Sequence, residues 1–173
     1  MIENGAAAIV FALIAVIETY IAGVSPFEMG ESPRAVTFTV AETFFNDAAL
    51  SEEVRVSYLP GFKFGVLQQV FDLSVTTEGS VFVGSGLRWE RDLFDGPFDG
   101  PVYIAMQSIP GLYFQGNGVD LGSVLEFRSG VELGLAVDDA TRISIITDHR
   151  SNAGIGDRNP GLESIGIRYQ RRF

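Results

Sequence analysis

Along residues 35–173 apolar and polar positions alternate in short runs rich in Val, Ile, Phe and Tyr, and turn-forming residues separate the runs. A period of two is the mark of half-buried strands, and no convincing amphipathic helix interrupts it. The runs predict about eight strands, at 35–45, 51–59, 64–77, 80–93, 101–115, 123–137, 142–153 and 162–173. Breaks fall at Asn46-Asp47, Pro60-Gly61, Glu78-Gly79, Asp95 to Gly100, Gly116 to Gly118, Asp138-Asp139 and Gly156 to Gly161. Such short connections join antiparallel neighbours, so the expected fold is an all-β, eight-stranded antiparallel barrel.

The alternation also assigns faces. Leu125, Phe127, Val131, Leu133, Leu135 and Val137 share one face of their strand, while Glu126, Arg128, Gly130, Glu132 and Gly134 share the other. Val81, Val83, Leu87 and Trp89 likewise oppose Gly84, Gly86, Arg88 and Glu90. A soluble ligand carrier would turn the apolar face inward. The inverse, with charges in the lumen, is favoured by the small glycines and opposite charges that suit a narrow polar interior, by aromatics at strand ends, and by the final strand's Tyr169 and Phe173. The expectation is a transmembrane barrel of the outer-membrane type.

Residues 1–34 break the pattern and are expected to be an export signal and leader, ahead of a barrel domain at 35–173. Ala6 to Ile17 is an apolar run of signal length, too short to span a bilayer comfortably, followed by small residues at Ala22 and Gly23. Its flank carries Glu3 and no Lys or Arg, unlike the usual positive start. A retained membrane-associated helix and a buried soluble helix are the other readings.

Composition narrows the chemistry. The 173 residues include no Cys and a single His, so thiolate and multi-histidine metal sites are excluded. A net charge of −10 leaves no basic surface for nucleic acid. Reactive groups must come from hydroxyls, carboxylates and His149, with no cofactor and no metal expected. A mean hydropathy of +0.22 with 14 Phe and 20 Gly suits apolar residues spread by alternation.

The stretch Asp148 to Ser164 is the richest in candidate chemistry. His149 and Ser151 lie two apart on a predicted strand and leave the same face. Glu163 opens the next strand across a hairpin, where it can orient the imidazole. The three supply a nucleophile, a base and an orienter. A His-x-Ser pair alone is commonplace, and Ser151-Asn152 also suits the start of a turn. Parity adds the distinguishing feature: Ile143, Ile145 and Thr147 share the face of His149 and Ser151, and Ile165, Ile167 and Tyr169 that of Glu163. All three polar groups therefore fall on the lipid-facing side, where such residues are costly unless functional. With both termini in the periplasm, Ser151 lies nine residues beyond Arg142. A strand tilted by about 40° then climbs roughly 23 Å, to the outer leaflet, where an esterase would meet the acyl esters of lipid A.

At these residues the chain resembles the PagL-like lipid A 3-O-deacylases, a family of eight-stranded outer-membrane acyloxyacyl hydrolases. The resemblance is carried by His149-Arg150-Ser151-Asn152-Ala153-Gly154, Asn159-Pro160-Gly161 and Glu163. Asp120-Leu121-Gly122-Ser123 and Leu125-Glu126-Phe127-Arg128-Ser129-Gly130 support it, as does the spacing of twelve from Ser151 to Glu163. It implies a serine esterase with a His149, Ser151, Glu163 triad, a lipid A or lipopolysaccharide substrate, removal of the 3-O chain, and the outer membrane of a Gram-negative bacterium. It also implies Asn152 and the Gly154 backbone as oxyanion stabilisers. Arg150 departs from the apolar or aromatic residue often found there. Arg150, Arg158 and Asn159 are candidate head-group contacts, although a solvated turn also accounts for 157–159. Similarity fades before residue 35.

Other features have plainer readings. Trp89 and Phe94 suit an interfacial girdle, and lumen charges such as Arg55, Arg88, Glu90, Glu126, Arg128 and Glu132 suit a plugging ion-pair network. Asp95, Asp99, Asp138 and Asp139 lack calcium-loop spacing. Competing functions are a non-catalytic structural or adhesive barrel and a soluble carrier. Homodimerisation is left open.

Overall fold

The computed structural model describes residues 6–98 and 100–173, so Glu3 and Asp99 lie outside it. The leader region forms helix α1 (Ala6–Ala22) and a short strand β1 (Met29–Glu31). The remaining strands are β2 (Ala35–Phe45), β3 (Ala48–Leu59), β4 (Phe62–Phe64), β5 (Leu67–Thr76), β6 (Val81–Asp95), β7 (Pro101–Phe114), β8 (Leu125–Ala136), β9 (Thr141–Ser151) and β10 (Leu162–Arg172).

Eight of these form the barrel. Each pairs antiparallel with its neighbours from β5 through β10, β10 pairs β2 from Glu163 opposite Phe44 to Arg172 opposite Ala35, and β2–β3 and β3–β5 complete the circuit. Closure leaves none of the eight with an unpaired edge, as a membrane requires of strands. The expected strand at 64–77 is split. Gly65 takes a φ of +56° and donates its N–H to Glu28 O at 2.8 Å, which separates β4, paired with β1, from β5. The expected break at Asn46-Asp47 is a two-residue hairpin with φ +51° and +64°, conformations that Asn and Asp tolerate better than most residues.

The faces follow the inverse assignment. Ile145 on the outer surface is 61% exposed, whereas Arg128 on the same barrel is fully buried in the lumen. Phe38, Val40, Val54, Leu73, Val83, Leu133 and Ile167 also stand outside, and Glu53, Arg55 and Arg168 inside. Glu53 takes Arg55 at 2.7 Å, Arg128 at 2.8 Å and Arg150 at 2.6 Å, and Asp72 and Asp148 meet Arg128 and Arg55. A second cluster joins Glu132 to Arg168 at 3.0 Å and to the Tyr103 hydroxyl at 2.6 Å. Pairing of this kind offsets the cost of burying ions, but Glu126, expected in the network, is fully buried and neither of its carboxylate oxygens has a hydrogen-bond partner among the described residues. At the β8–β9 turn, outside the membrane-spanning segments, the Asp138 carboxylate accepts the N–H groups of Ala140 and Thr141, which hold its carboxyl below the usual range.

Helix α1 lies against the outside of the barrel, with Phe11 packed on Trp89 and Met106 and Glu18 paired with Arg91. Trp89 is therefore covered instead of standing free in a girdle, while Phe94 is exposed. Among the described residues no helix is long and apolar enough to cross a membrane, which has no bearing on crossing by strands.

Candidate active site

The outward face of β9 carries Ile143, Ile145, Thr147, His149 and Ser151, and the inward face carries Arg142, Ser144, Ile146, Asp148 and Arg150. The adjoining β10 places Glu163 directly opposite His149 in the ladder. Facing positions in an antiparallel pair bring Cβ atoms to about 5 Å, short enough for a glutamate to reach an imidazole. His149 Nδ1 lies 3.0 Å from Glu163 Oε1. With Nδ1–H donating a hydrogen bond to that carboxylate, Nε2 carries the lone pair, the tautomer a general base requires. Nε2 is buried and has no hydrogen-bond partner among the described residues. Ser151, at the end of the same strand, is also buried. Its hydroxyl and the ring form no hydrogen bond in this state, and such contacts tighten when substrate seats.

A bare backbone beneath the ring completes the arrangement. A Cβ on Gly161 would stand 2.3 Å from His149 Cε1 and 3.2 Å from Nε2, so the imidazole lies across Gly161 where any side chain would displace it. The glycine that closes the loop motif Asn159-Pro160-Gly161 thus has a steric basis.

Past Ser151 the chain turns at once. Ala153 and Gly154 take φ values of +55° and +80°, and Ile155 N donates to Asn152 O at 3.1 Å. Those values match a type I′ turn. A non-glycine residue at positive φ is strained, so Ala153 needs surroundings that hold it there. Asn152 supplies them. Its fully buried amide donates to Leu121 O at 2.9 Å and Arg158 O at 2.6 Å, and its Oδ1 accepts Gly154 N–H at 2.9 Å. Asn159 Oδ1 in turn accepts the Asn152 N–H at 2.9 Å. One side chain therefore ties the end of β9 to the loop before β8 and to its own loop.

The other expected site residues divide. Arg158 reaches over the same end of the barrel, more than half exposed and paired with Asp120. Arg150 does not join them. Its guanidinium points into the lumen, bonded to Glu53 and stacked over Phe82 at 5.0 Å, because its parity opposes that of His149 and Ser151. Arg150, expected as a head-group contact, therefore does not reach the lipid-facing surface. Asn159, expected as a head-group contact, instead accepts the Asn152 N–H through its Oδ1, and two neighbours of the ring were not anticipated: Gly161 beneath it and Ser129, its ladder partner on β8.

Comparison with known proteins gives similarities of sequence and of fold. Residues 98–172 match the family model described as lipid A 3-O-deacylase (PagL), a segment that contains all three triad candidates. The lipid A deacylase PagL of Bordetella bronchiseptica (strain ATCC BAA-588 / NCTC 13252 / RB50) is 36% identical over 53 residues, 31% of this chain and 30% of that relative's length. Among solved structures, that of the outer membrane enzyme PagL superposes with a TM-score of 0.65 at 16% identity, covering 80% of this chain and 99% of that one. Neisserial surface protein A (NspA) superposes at 0.54 and 12% identity, over 83% and 99%. The structural matches define the fold, a β-barrel of the outer-membrane type. Within that class, residues 98–172, less than half of the chain, are similar to the lipid A 3-O-deacylase (PagL) family.

Proposed function

We propose that the protein is an outer-membrane serine esterase that removes an ester-linked acyl chain from lipid A, at the 3-O position by family resemblance. The observation that carries the proposal is the 3.0 Å contact between His149 Nδ1 and Glu163 Oε1, on a lipid-facing surface with Ser151 two residues along. Residues 1–34 serve as the export leader.

In the first half-reaction His149 Nε2 takes the Ser151 proton as Oγ attacks the ester carbonyl, and the imidazolium then protonates the leaving sugar oxygen. Glu163 keeps the ring in its tautomer and stabilises the imidazolium. Oxyanion stabilisation falls to the N–H groups of Asn152 and Gly154. In the resting state both are satisfied by side-chain amide oxygens, of Asn159 and Asn152 respectively. A developing oxyanion is the stronger acceptor and can replace them. The Asn152 amide nitrogen, committed to two backbone carbonyls, has the structural task instead. Arg158 is the proposed contact for a lipid A phosphate, a reading supported by its exposure, with the phosphate displacing its present partner Asp120. Mass analysis of lipid A from a Gram-negative host expressing the protein tests the proposal through loss of one acyl chain that depends on Ser151.

A further inference from the structure

Helix α1 is apolar on every side, and Glu18 is its one charged residue. Phe11, Ala15 and Thr19, four residues apart, form the buried stripe against the barrel, while Ile9, Leu13, Val16 and Ile17 stand away from it, each more than half exposed. A helix that is apolar all round suits a place with protein on one side and lipid on the other. Glu18 is neutralised there by Arg91 of the wall, as a charge in lipid requires. Between α1 and the wall lies a cleft of about 580 Å³, a size common for ligand sites, bounded by Phe11 and Ala12 of the helix and by Leu87, Ser108 and Pro110 of β6 and β7.

Strand register ties this cleft to the triad. Ser108 pairs with Ser129, which pairs with His149, and Pro110 pairs with Phe127, which pairs with Ser151. Each of the two catalytic candidates thus has a cleft residue two strands away. Neighbouring strands lie about 4.8 Å apart, which sets the cleft roughly 10 Å from the pair along the same lipid-facing wall. The wall under the helix also carries Gln69 and Ser85, joined by a 2.7 Å hydrogen bond from Gln69 Nε2 to Ser85 Oγ. With Ser108 they are polar groups on a surface that otherwise meets lipid, where such groups are costly unless they serve something. Their amide and hydroxyl donors suit the ester or amide carbonyl through which an acyl chain joins its head group, and Phe11, Leu87 and Pro110 suit the chain itself.

We infer that α1 stays on the barrel after export and that the cleft beneath it holds a second acyl chain of the lipid A molecule whose scissile ester lies at Ser151. The inference rests on the esterase function proposed above. Two chains of one head group then engage the wall at once, one at the triad and one under the helix. The leader helix thereby sets which lipids are cleaved, favouring a substrate with a neighbouring chain at that spacing over an ester that carries a single chain.

The test uses the full-length protein expressed in a Gram-negative host, extracted from the outer membrane in detergent and weighed intact. The mass should include α1, and a mature protein that begins beyond Ala22 overturns the inference. Ser151-dependent hydrolysis is then measured on lipopolysaccharide and on the p-nitrophenyl ester of a single fatty acid. Ala12→Trp fills the cleft from the helix side. It should lower the ratio of kcat/KM for lipopolysaccharide to that for the single-chain ester by about tenfold or more, chiefly through KM for lipopolysaccharide. If Ala12→Trp fails to fold, Ser85→Phe, which fills the cleft from the wall side, is measured with the same expectation. A ratio that stays at the wild-type value overturns the inference, since the cleft then holds membrane lipid unconnected with the reaction. Failure of the triad itself looks different: wild type would then hydrolyse neither substrate in a Ser151-dependent manner, and both readings fall.

Discussion

The imidazole of His149 rests on Gly161, a residue twelve positions along the chain that contributes no side-chain atom to the site and leaves room for the ring. A methyl group there would lie 2.3 Å from Cε1, well inside contact distance with the ring. Gly161→Ala should therefore fold, since its backbone has no positive φ to lose, and should reduce turnover by on the order of a hundredfold, the cost of moving a catalytic group by about 1 Å. Heat-modifiable gel migration checks the fold, and fatty-acid release checks the rate.

Glu163 is half exposed, and among the described residues its carboxylate hydrogen-bonds His149 alone. Glu163→Ala is expected to leave stability almost unchanged and to lower kcat by roughly a hundredfold to ten-thousandfold, the range seen when the orienting carboxylate of such a triad is lost. Steady-state kinetics with KM resolved separates this from weaker substrate binding, which would raise KM alone.

Asn152→Ala removes the donor to Leu121 O and Arg158 O and the acceptor for Gly154 N–H. Each buried group left unpaired costs about 1–3 kcal/mol. The loops before β8 and after β9 should separate locally, seen as faster amide exchange at 119–124 and 153–160, with the barrel strands still protected and activity lost.

The lumen is tested at Glu53, whose carboxylate faces Arg55, Arg128 and Arg150. Glu53→Ala leaves buried guanidinium groups short of a counter-charge, at a cost of about 3–5 kcal/mol. Urea denaturation in detergent should shift to markedly lower midpoint. The triad lies on the other side of the wall, so the folded fraction should keep its specific activity.

Much of this arrangement is legible in the sequence because a strand's period of two is exact: once Ile143, Ile145 and Thr147 are set outward, His149 and Ser151 follow and Arg150 must turn inward. The same rule, applied strictly, would have removed Arg150 from the head-group candidates. Glu163 opposite His149 was readable because one hairpin joins their strands. Ser129 was harder, since its pairing with His149 depends on the register across the β8–β9 turn, which Asp138 fixes through its hydrogen bonds to Ala140 and Thr141. Gly161 beneath the ring and Asn159 on the Asn152 N–H depend on loop conformation, where no periodicity guides a reader. The split at Gly65 likewise depends on one backbone dihedral and on β1, a partner from the leader region.

The central claim is Ser151-dependent deacylation of lipid A, and mass spectrometry of lipid A from a Gram-negative host tests it most directly. Wild-type protein, folded by gel migration, should convert lipid A to a species lighter by one ester-linked acyl chain, and Ser151→Ala, equally folded, should leave it unchanged. Unaltered lipid A with a folded wild-type barrel, or the same loss of mass from Ser151→Ala, would contradict it.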